Sequence, residues 1–186
     1  MPLSPVKRFF ASVWETGEVV IIALVTVFII RTFIAQPFLV SGASMEATFH
    51  NGNYLLIDEV TYYFREPLRG EVVVFKYHSD AEEYFIKRII GLPGETLTIA
   101  DSTITISQPG KDDISLNEPY IKEAMRTFGE RRVTLGEGEY FVMGDNRANS
   151  FDSRNWGPLK EQDIVGIARL RLFPFGQAGT ITTPTY

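Results

Sequence analysis

Cysteine is absent from this 186-residue chain, which excludes disulfides, thiolate metal sites and a cysteine nucleophile and leaves the redox compartment open. Histidine is nearly absent. His50 and His78 are the two present, in no metal-ligand spacing, so a zinc enzyme would be short of ligands. No metal and no cofactor are expected. Charged residues make up only 22%, with a net charge of -5. Nucleic-acid binding is not expected, because it rests on clustered Lys and Arg. There is no internal repeat and no low-complexity tract. What the chain does have is apolar side chains, 45% of the total, enough to bury a core and unlike the composition of a disordered segment. Its length fits one domain, with room for a membrane anchor or a small satellite.

The apolar residues are unevenly spread. Residues 19–30 read VVIIALVTVFII, without a charge. A helix crossing the hydrocarbon needs roughly 20 mainly apolar residues. Residues 16–35 reach that length if Glu18 and Arg31 sit near the headgroups, Arg31 snorkelling on its long stem. Trp14 lies at the near edge, where an aromatic ring suits the interface. A buried core helix would show a polar face, and this stretch has almost none. A cleavable leader would need a small-x-small site, which Phe33-Ile34-Ala35-Gln36-Pro37 does not offer. Lys7 and Arg8 assign residues 1–15 to the cytoplasm by the positive-inside rule. Residues 16–35 are then a single pass through the cell (plasma) membrane, in contact with lipid, and residues 36–186 lie outside.

Pro37 ends any helix, since its ring fixes the backbone and it has no N–H to donate. Beyond it the pattern becomes short and β-like. Residues 38–40, 54–57, 71–76, 84–90, 96–99, 103–106, 139–143 and 164–170 are rich in β-branched and aromatic side chains and bounded by Gly, Pro, Asn and Asp. Turns are predicted at 50–53, 68–70, 92–95 and 135–138. Many short strands with no long helical stretch predict a mainly β body, partly closed and barrel-like. The more polar segment from about 99 to 133, with a hairpin signal at 107–111, reads as a small β insertion folding on the side.

Three segments carry chemistry. Ser41-Gly42-Ala43-Ser44-Met45 follows the expected membrane surface and places a serine among small residues, where a substrate backbone can approach closely. The Gly-x-Ser-x-Gly elbow and its βαβ setting are absent. A nucleophilic serine needs a base, and both histidines sit in polar, turn-like stretches unsuited to a buried, oriented imidazole. Lys87 is the alternative. It lies in an apolar strand, sharing one face with Phe85 and Ile89, and burial would favour a neutral amine able to act as a general base. A strand lysine pointing to solvent is the competing reading. The third segment, residues 143–154, is dense in Asp, Asn, Ser and Arg, as a solvated loop or a hydrogen-bonded floor would be.

Together these segments resemble the bacterial type I signal peptidases (leader peptidases), serine proteases with a Ser–Lys dyad. The resemblance extends over Arg69-Gly70-Glu71-Val72-Val73-Val74-Phe75, the run from Lys87 to Glu95, Leu116-Asn117-Glu118-Pro119-Tyr120 and the run from Gly144 to Gly157. It implies Ser44 as nucleophile, Lys87 as general base and Ser150 as the group orienting the lysine amine. It implies pairing of Asp145 with Arg88 and of Asp152 with Arg154, and pockets for small side chains around Val40, Met45, Phe85 and Ile86. The substrates implied are exported preproteins, whose signal peptides would be cut after small-x-small motifs. Three positions depart from the family pattern: Gly42, where some members carry a hydroxyl that helps to hold the oxyanion; Ala47, where Pro is usual; and Ala148, where Asp is common. Self-cleaving repressors share the dyad but carry a DNA-binding domain where this chain has its apolar run. A membrane-tethered, catalytically silent β-domain that binds exported polypeptides is the alternative of another class, and retention of Ser44, Lys87 and Ser150 together speaks against it.

Overall fold

The computed structural model describes the backbone of residues 5–33, 35–77, 80–122, 126–184 and 186, with side chains described for residues 14–28 of the first helix, from 36 onward in the first strand and from 82 in the fourth. Helix α1 (Pro5–Phe33) leads into a mainly β body. Its strands are β1 (Ala35–Leu39), β2 (Tyr54–Asp58), β3 (Val72–Tyr77), β4 (Asp80–Gly91), β5 (Thr96–Ala100), β6 (Thr103–Ser107), β7 (Ile114–Ser115), β8 (Arg131–Thr134), β9 (Glu139–Met143), β10 (Leu159–Lys160), β11 (Ile164–Phe173) and β12 (Gly179–Thr180). A one-turn helix, α2 (Ser153–Trp156), precedes β10.

All eight strands expected from the alternation form. In β2, β5 and β6, alternate residues are buried, as the two-residue period of a half-covered strand requires. The first four residues of β3 are all buried because both of its faces are covered. The main sheet runs β1-β2-β11-β3-β4-β9-β10, with β12 added beside β11, and every pairing is antiparallel. This corrects the expected partly closed barrel: the strand path is open, with β1 and β10 at its two ends. Side-chain alternation reports which face of a strand is covered but not whether a sheet's last strand meets its first. A second sheet, β7-β6-β5-β8, lies within residues 96–134, and its Leu97, Ile99, Ile104 and Ile106 share one apolar cluster with Ile90, Phe141 and Met143 of the main sheet.

Two strand edges of the main sheet, those of β1 and β4, border one groove. Among the described pairings, β1 is bonded on one side only, to β2. β4 pairs with β3 through Tyr84–Arg88 but, among the described pairings, meets β9 only from Arg88 onward, so the other edge of its residues 84–87 has no neighbouring strand. The edges approach each other at Phe38 and Tyr84, whose ring centroids are 5.5 Å apart.

In α1 the described apolar side chains, including Trp14, Val19, Leu24 and Phe28, are exposed. Among the described residues no helix is long and apolar enough to cross a membrane. The side chains of residues 29–35 of the expected span 16–35 lie outside the described residues.

Candidate active site

Ser44 opens a helical turn immediately after β1, closed by Thr48 and Phe49 N–H groups donating to the Met45 carbonyl at 3.0 and 2.7 Å. Met45 and Phe49 anchor this turn in the core with exposures of 1% and 0%, which leaves the hydroxyl of Ser44 facing the cleft. The turn is held from across the sheet by Asn146, whose backbone N–H donates to Ser44 O at 3.0 Å and whose Nδ2 donates to Ala43 O at 3.1 Å.

Lys87 stands opposite Val73 in the β3–β4 ladder and is 4% exposed. Its Nζ lies 2.9 Å from Ser44 Oγ, donates to Ile86 O at 3.0 Å, and sits 5.3 Å from the centre of the Phe85 ring. Burial lowers the pKa of this amine from 10.5 to about 8, against the opposing pull of the Asp152 and Asp145 charges. A group with that pKa supplies a useful neutral fraction near pH 8, which solvent-facing lysines do not.

Two buried ion pairs stiffen the floor. Arg88 grips Asp145 through Nε at 2.9 Å and Nη2 at 2.6 Å, and its Nη1 donates to Gly70 O at 2.7 Å. The same carboxylate accepts from the hydroxyl of Thr48, tying the turn that follows Ser44 to the floor. Asp152 accepts from Arg154 Nε and Nη2, both at 2.8 Å, and from Gly144 N–H at 3.0 Å, while capping α2. Burial pushes the Asp152 carboxyl up, but the Arg154 charge and the Gly144 N–H win and hold it below its ordinary value. Between the pairs runs Gly144: a Cβ there would collide with Ser150 Oγ and with the carbonyl oxygen of Ser44. Only glycine lets the floor loop pass this close.

The structure thus gathers Ser44, Lys87, Ser150, Arg88, Asp145, Asp152 and Arg154 into one site. Ser150 Oγ is buried there without a hydrogen bond to Lys87 among the described residues; it lies beside Asp152 and helps to hold that carboxyl low, and the amine meets Ile86 O instead. His50 is exposed in its turn; His78 lies outside the described residues. Ala47 has φ +73, a conformation closed to proline, so the turn after Ser44 is built differently from the pattern it resembles. Ala148 is exposed in a single 3-10 turn.

A cleft of about 380 Å³ opens above Ser44 and Lys87. Val40, Phe85 and Ile86 line it as expected, with Leu55 and Val74 at its base. Met45 does not. It points into the core beneath with Val40 and Leu55, because the turn sends neighbouring side chains in opposite directions. Sequence reasoning missed Phe38, Tyr84, Asn149 and Phe151 in the lining. Alternation offered a signal for two of them, since Phe38 shares a strand face with Val40 and Tyr84 with Ile86. Asn146 was also missed as the group that seats Ser44.

Residues 13–173 match the sequence model of a family described as signal peptidase, peptidase S26. The chain is 39% identical over 182 residues to signal peptidase I of Bacillus amyloliquefaciens, covering 91% of this chain and 90% of that protein. It is 38% identical over 175 residues to signal peptidase I T of Bacillus subtilis (strain 168), covering 88% and 86%. A solved signal peptidase I from Enterococcus faecalis V583 is 30% identical, with a TM-score of 0.47, over 55% of this chain and 97% of its own.

Proposed function

The chain belongs to the signal peptidase family, peptidase S26, and from that premise we propose a Ser44–Lys87 dyad as the machinery of its reaction. The protein is a serine peptidase that removes signal peptides, a signal peptidase I. One observation carries the dyad: a buried amine with a lowered pKa sits 2.9 Å from a serine hydroxyl at the bottom of a cleft flanked by bare strand edges.

The neutral Lys87 amine takes the hydroxyl proton as Ser44 Oγ attacks the scissile carbonyl carbon. The ammonium then gives that proton to the leaving amine, and the amide C–N bond breaks to leave an acyl-Ser44 ester. Lys87, neutral again, accepts a proton from water as the water attacks the ester; the ammonium then returns it to Ser44 Oγ as the ester C–O bond breaks, releasing the new C-terminal acid. The Ser44 N–H is the oxyanion donor. Gly42 N–H is committed elsewhere, to Asn51 Oδ1 at 3.0 Å. The substrate lies extended between the edges of β1 and β4, exchanging main-chain hydrogen bonds with them. Its alternate side chains enter the space bounded by Val40, Phe85 and Ile86, which suits alanine and rejects bulk.

Helix α1 is the membrane anchor in this reading, with residues 1–15 cytoplasmic and residues 36–186 on the outer face. What supports it is the charge-free run at 19–30 and the exposure of apolar side chains around the described part of the helix, a surface suited to lipid rather than water. Anchoring places enzyme and signal peptide on one surface and raises their effective concentration.

The test is incubation of detergent-solubilised protein with a preprotein and sequencing of the new N-terminus, alongside labelling by a serine-directed acylating probe. Cleavage after a small-x-small motif, with label on Ser44, is expected. A folded protein that binds preprotein without cutting it would be the silent β-domain instead. Protease added outside spheroplasts should digest the body beyond Pro37, and protection of that body would overturn the topology.

A further inference from the structure

The segment Leu116-Asn117-Glu118-Pro119-Tyr120 has no part in the proton transfers of the dyad, yet its tyrosine lies against the catalytic floor. The guanidinium carbon of Arg88 is 4.1 Å from the centre of the Tyr120 ring, within the range where a ring face attracts a cation. Tyr120 Oη donates to Glu118 Oε1 at 2.6 Å, and the same carboxylate is held by Arg147. The one hydroxyl proton of Tyr120 is therefore spent. Tyr186 Oη lies 2.8 Å from Tyr120 Oη, so Tyr186 must be the donor in that contact. A phenol is protonated at neutral pH and able to donate. Its ring and Pro184 also close over Gly70: a Cβ at Gly70 would lie 2.9 Å from Tyr186 Cε2 and 3.1 Å from Pro184 Cδ. The carbonyl of Gly70 is the third partner of Arg88.

We propose that Tyr186 is a positioning residue, a strap that holds Tyr120 and Gly70 against Arg88 and through them fixes the loop that seats the nucleophile. The route is continuous. Tyr186 bonds Tyr120 and covers Gly70, and both meet Arg88. Arg88 clamps Asp145, which also binds Thr48 of the nucleophile's turn. Asn146, next along the chain, holds the carbonyls of Ala43 and Ser44. Releasing the strap frees one face of the Arg88 guanidinium and lets the Asp145–Asn146 loop relax. Misplacement of a reacting atom by a fraction of an ångström slows a reaction without removing any reacting group. The cleft contains neither Tyr186 nor Tyr120 among its lining residues, so substrate affinity is unaffected.

This proposal rests on the Ser44–Lys87 reading, and its test separates the two. Tyr186→Ala and Tyr186→Phe are compared with the wild type for kcat, KM, the rate of acylation by a serine-directed probe, and melting temperature. Tyr186→Ala should lower kcat and the acylation rate by about tenfold, with KM changed less than about twofold. Tyr186→Phe, which keeps the ring over Gly70, should recover at least about half of the lost rate on a logarithmic scale. A lowered melting temperature with kcat unchanged at a temperature where both proteins are folded would reduce Tyr186 to a stabilising contact and overturn the proposal. A loss expressed in KM, or a phenylalanine variant no better than alanine, would overturn it as well. Residual turnover by Ser44→Ala or Lys87→Ala would sink the dyad whatever Tyr186 does.

Discussion

The buried amine of Lys87 should burden the fold in a way that pH reveals. In the unfolded chain the lysine titrates near 10.5, and in the folded protein at about 8. At about 1.4 kcal/mol per pH unit, the gap corresponds to roughly 3 kcal/mol. Because the folded value lies below the unfolded one, the contribution of the neutral amine to stability is fully present above 10.5. It falls away as pH drops toward about 8, below which the folded protein holds a buried ammonium. Lys87→Met keeps the stem and removes the charge. The variant should therefore gain stability over the wild type by up to roughly 3 kcal/mol below pH 8, and the gain should shrink steadily toward pH 10.5. Paired urea unfolding in detergent, followed by tryptophan fluorescence at pH 7, 8, 9 and 10, isolates the effect, since other titrating groups cancel between the two proteins. The same group should govern catalysis: kcat/KM should rise about tenfold per pH unit below 8 and level off above it. Parallel stability curves across this range, or a rate profile flat from pH 6 to 9, would refute a low-pKa base at this position.

Three further outcomes are expected. Ser44→Ala and Lys87→Ala should each abolish cleavage, and the double variant should be no worse because the pair acts as a unit; His50→Ala should cleave at the wild-type rate, and a kinetic loss there in folded protein would break the assignment. Gly144→Ala should cut kcat at least about a hundredfold and lower stability by about 1–3 kcal/mol, because its Cβ would collide with Ser150 Oγ and the Ser44 carbonyl oxygen; near-normal turnover would show that the floor loop is not tightly seated. Ser150→Ala should slow turnover about ten- to a hundredfold with affinity unchanged, and Ser150→Thr should keep more. Its hydroxyl is buried beside Asp152 and helps to hold that carboxyl low, so a small loss of melting temperature is compatible with the orienting role; a melting-temperature loss with normal rate would make Ser150 a structural group only.

Much of the fold was legible in the order of residues alone. Eight strands were marked by alternation and by flanking Gly, Pro, Asn and Asp, because the face a strand buries and the turn that ends it are local properties of chain sterics. Ser44 and Lys87 were legible for a related reason: a serine among small residues and a lysine in an apolar strand are each unusual enough to register, and their order along the chain resembles a known family. The partners at the ends of those side chains were not legible. Whether β1 and β10 meet, which strand edges stay bare, and that Met45 turns inward beneath Ser44 depend on how distant strands pack, which no local pattern encodes. Asn146 and Tyr186 are the clearest cases. Neither residue is unusual in its own stretch of chain, and each takes its place only because antiparallel pairing and the closing tail bring it to a segment far away in sequence. The lowered pKa of Lys87 has the same origin: the residue type and the strand come from the sequence, but the desolvation that lowers it exists only once Ser44 and Phe85 are packed around the amine, and it outweighs the opposing charges of Asp152 and Asp145.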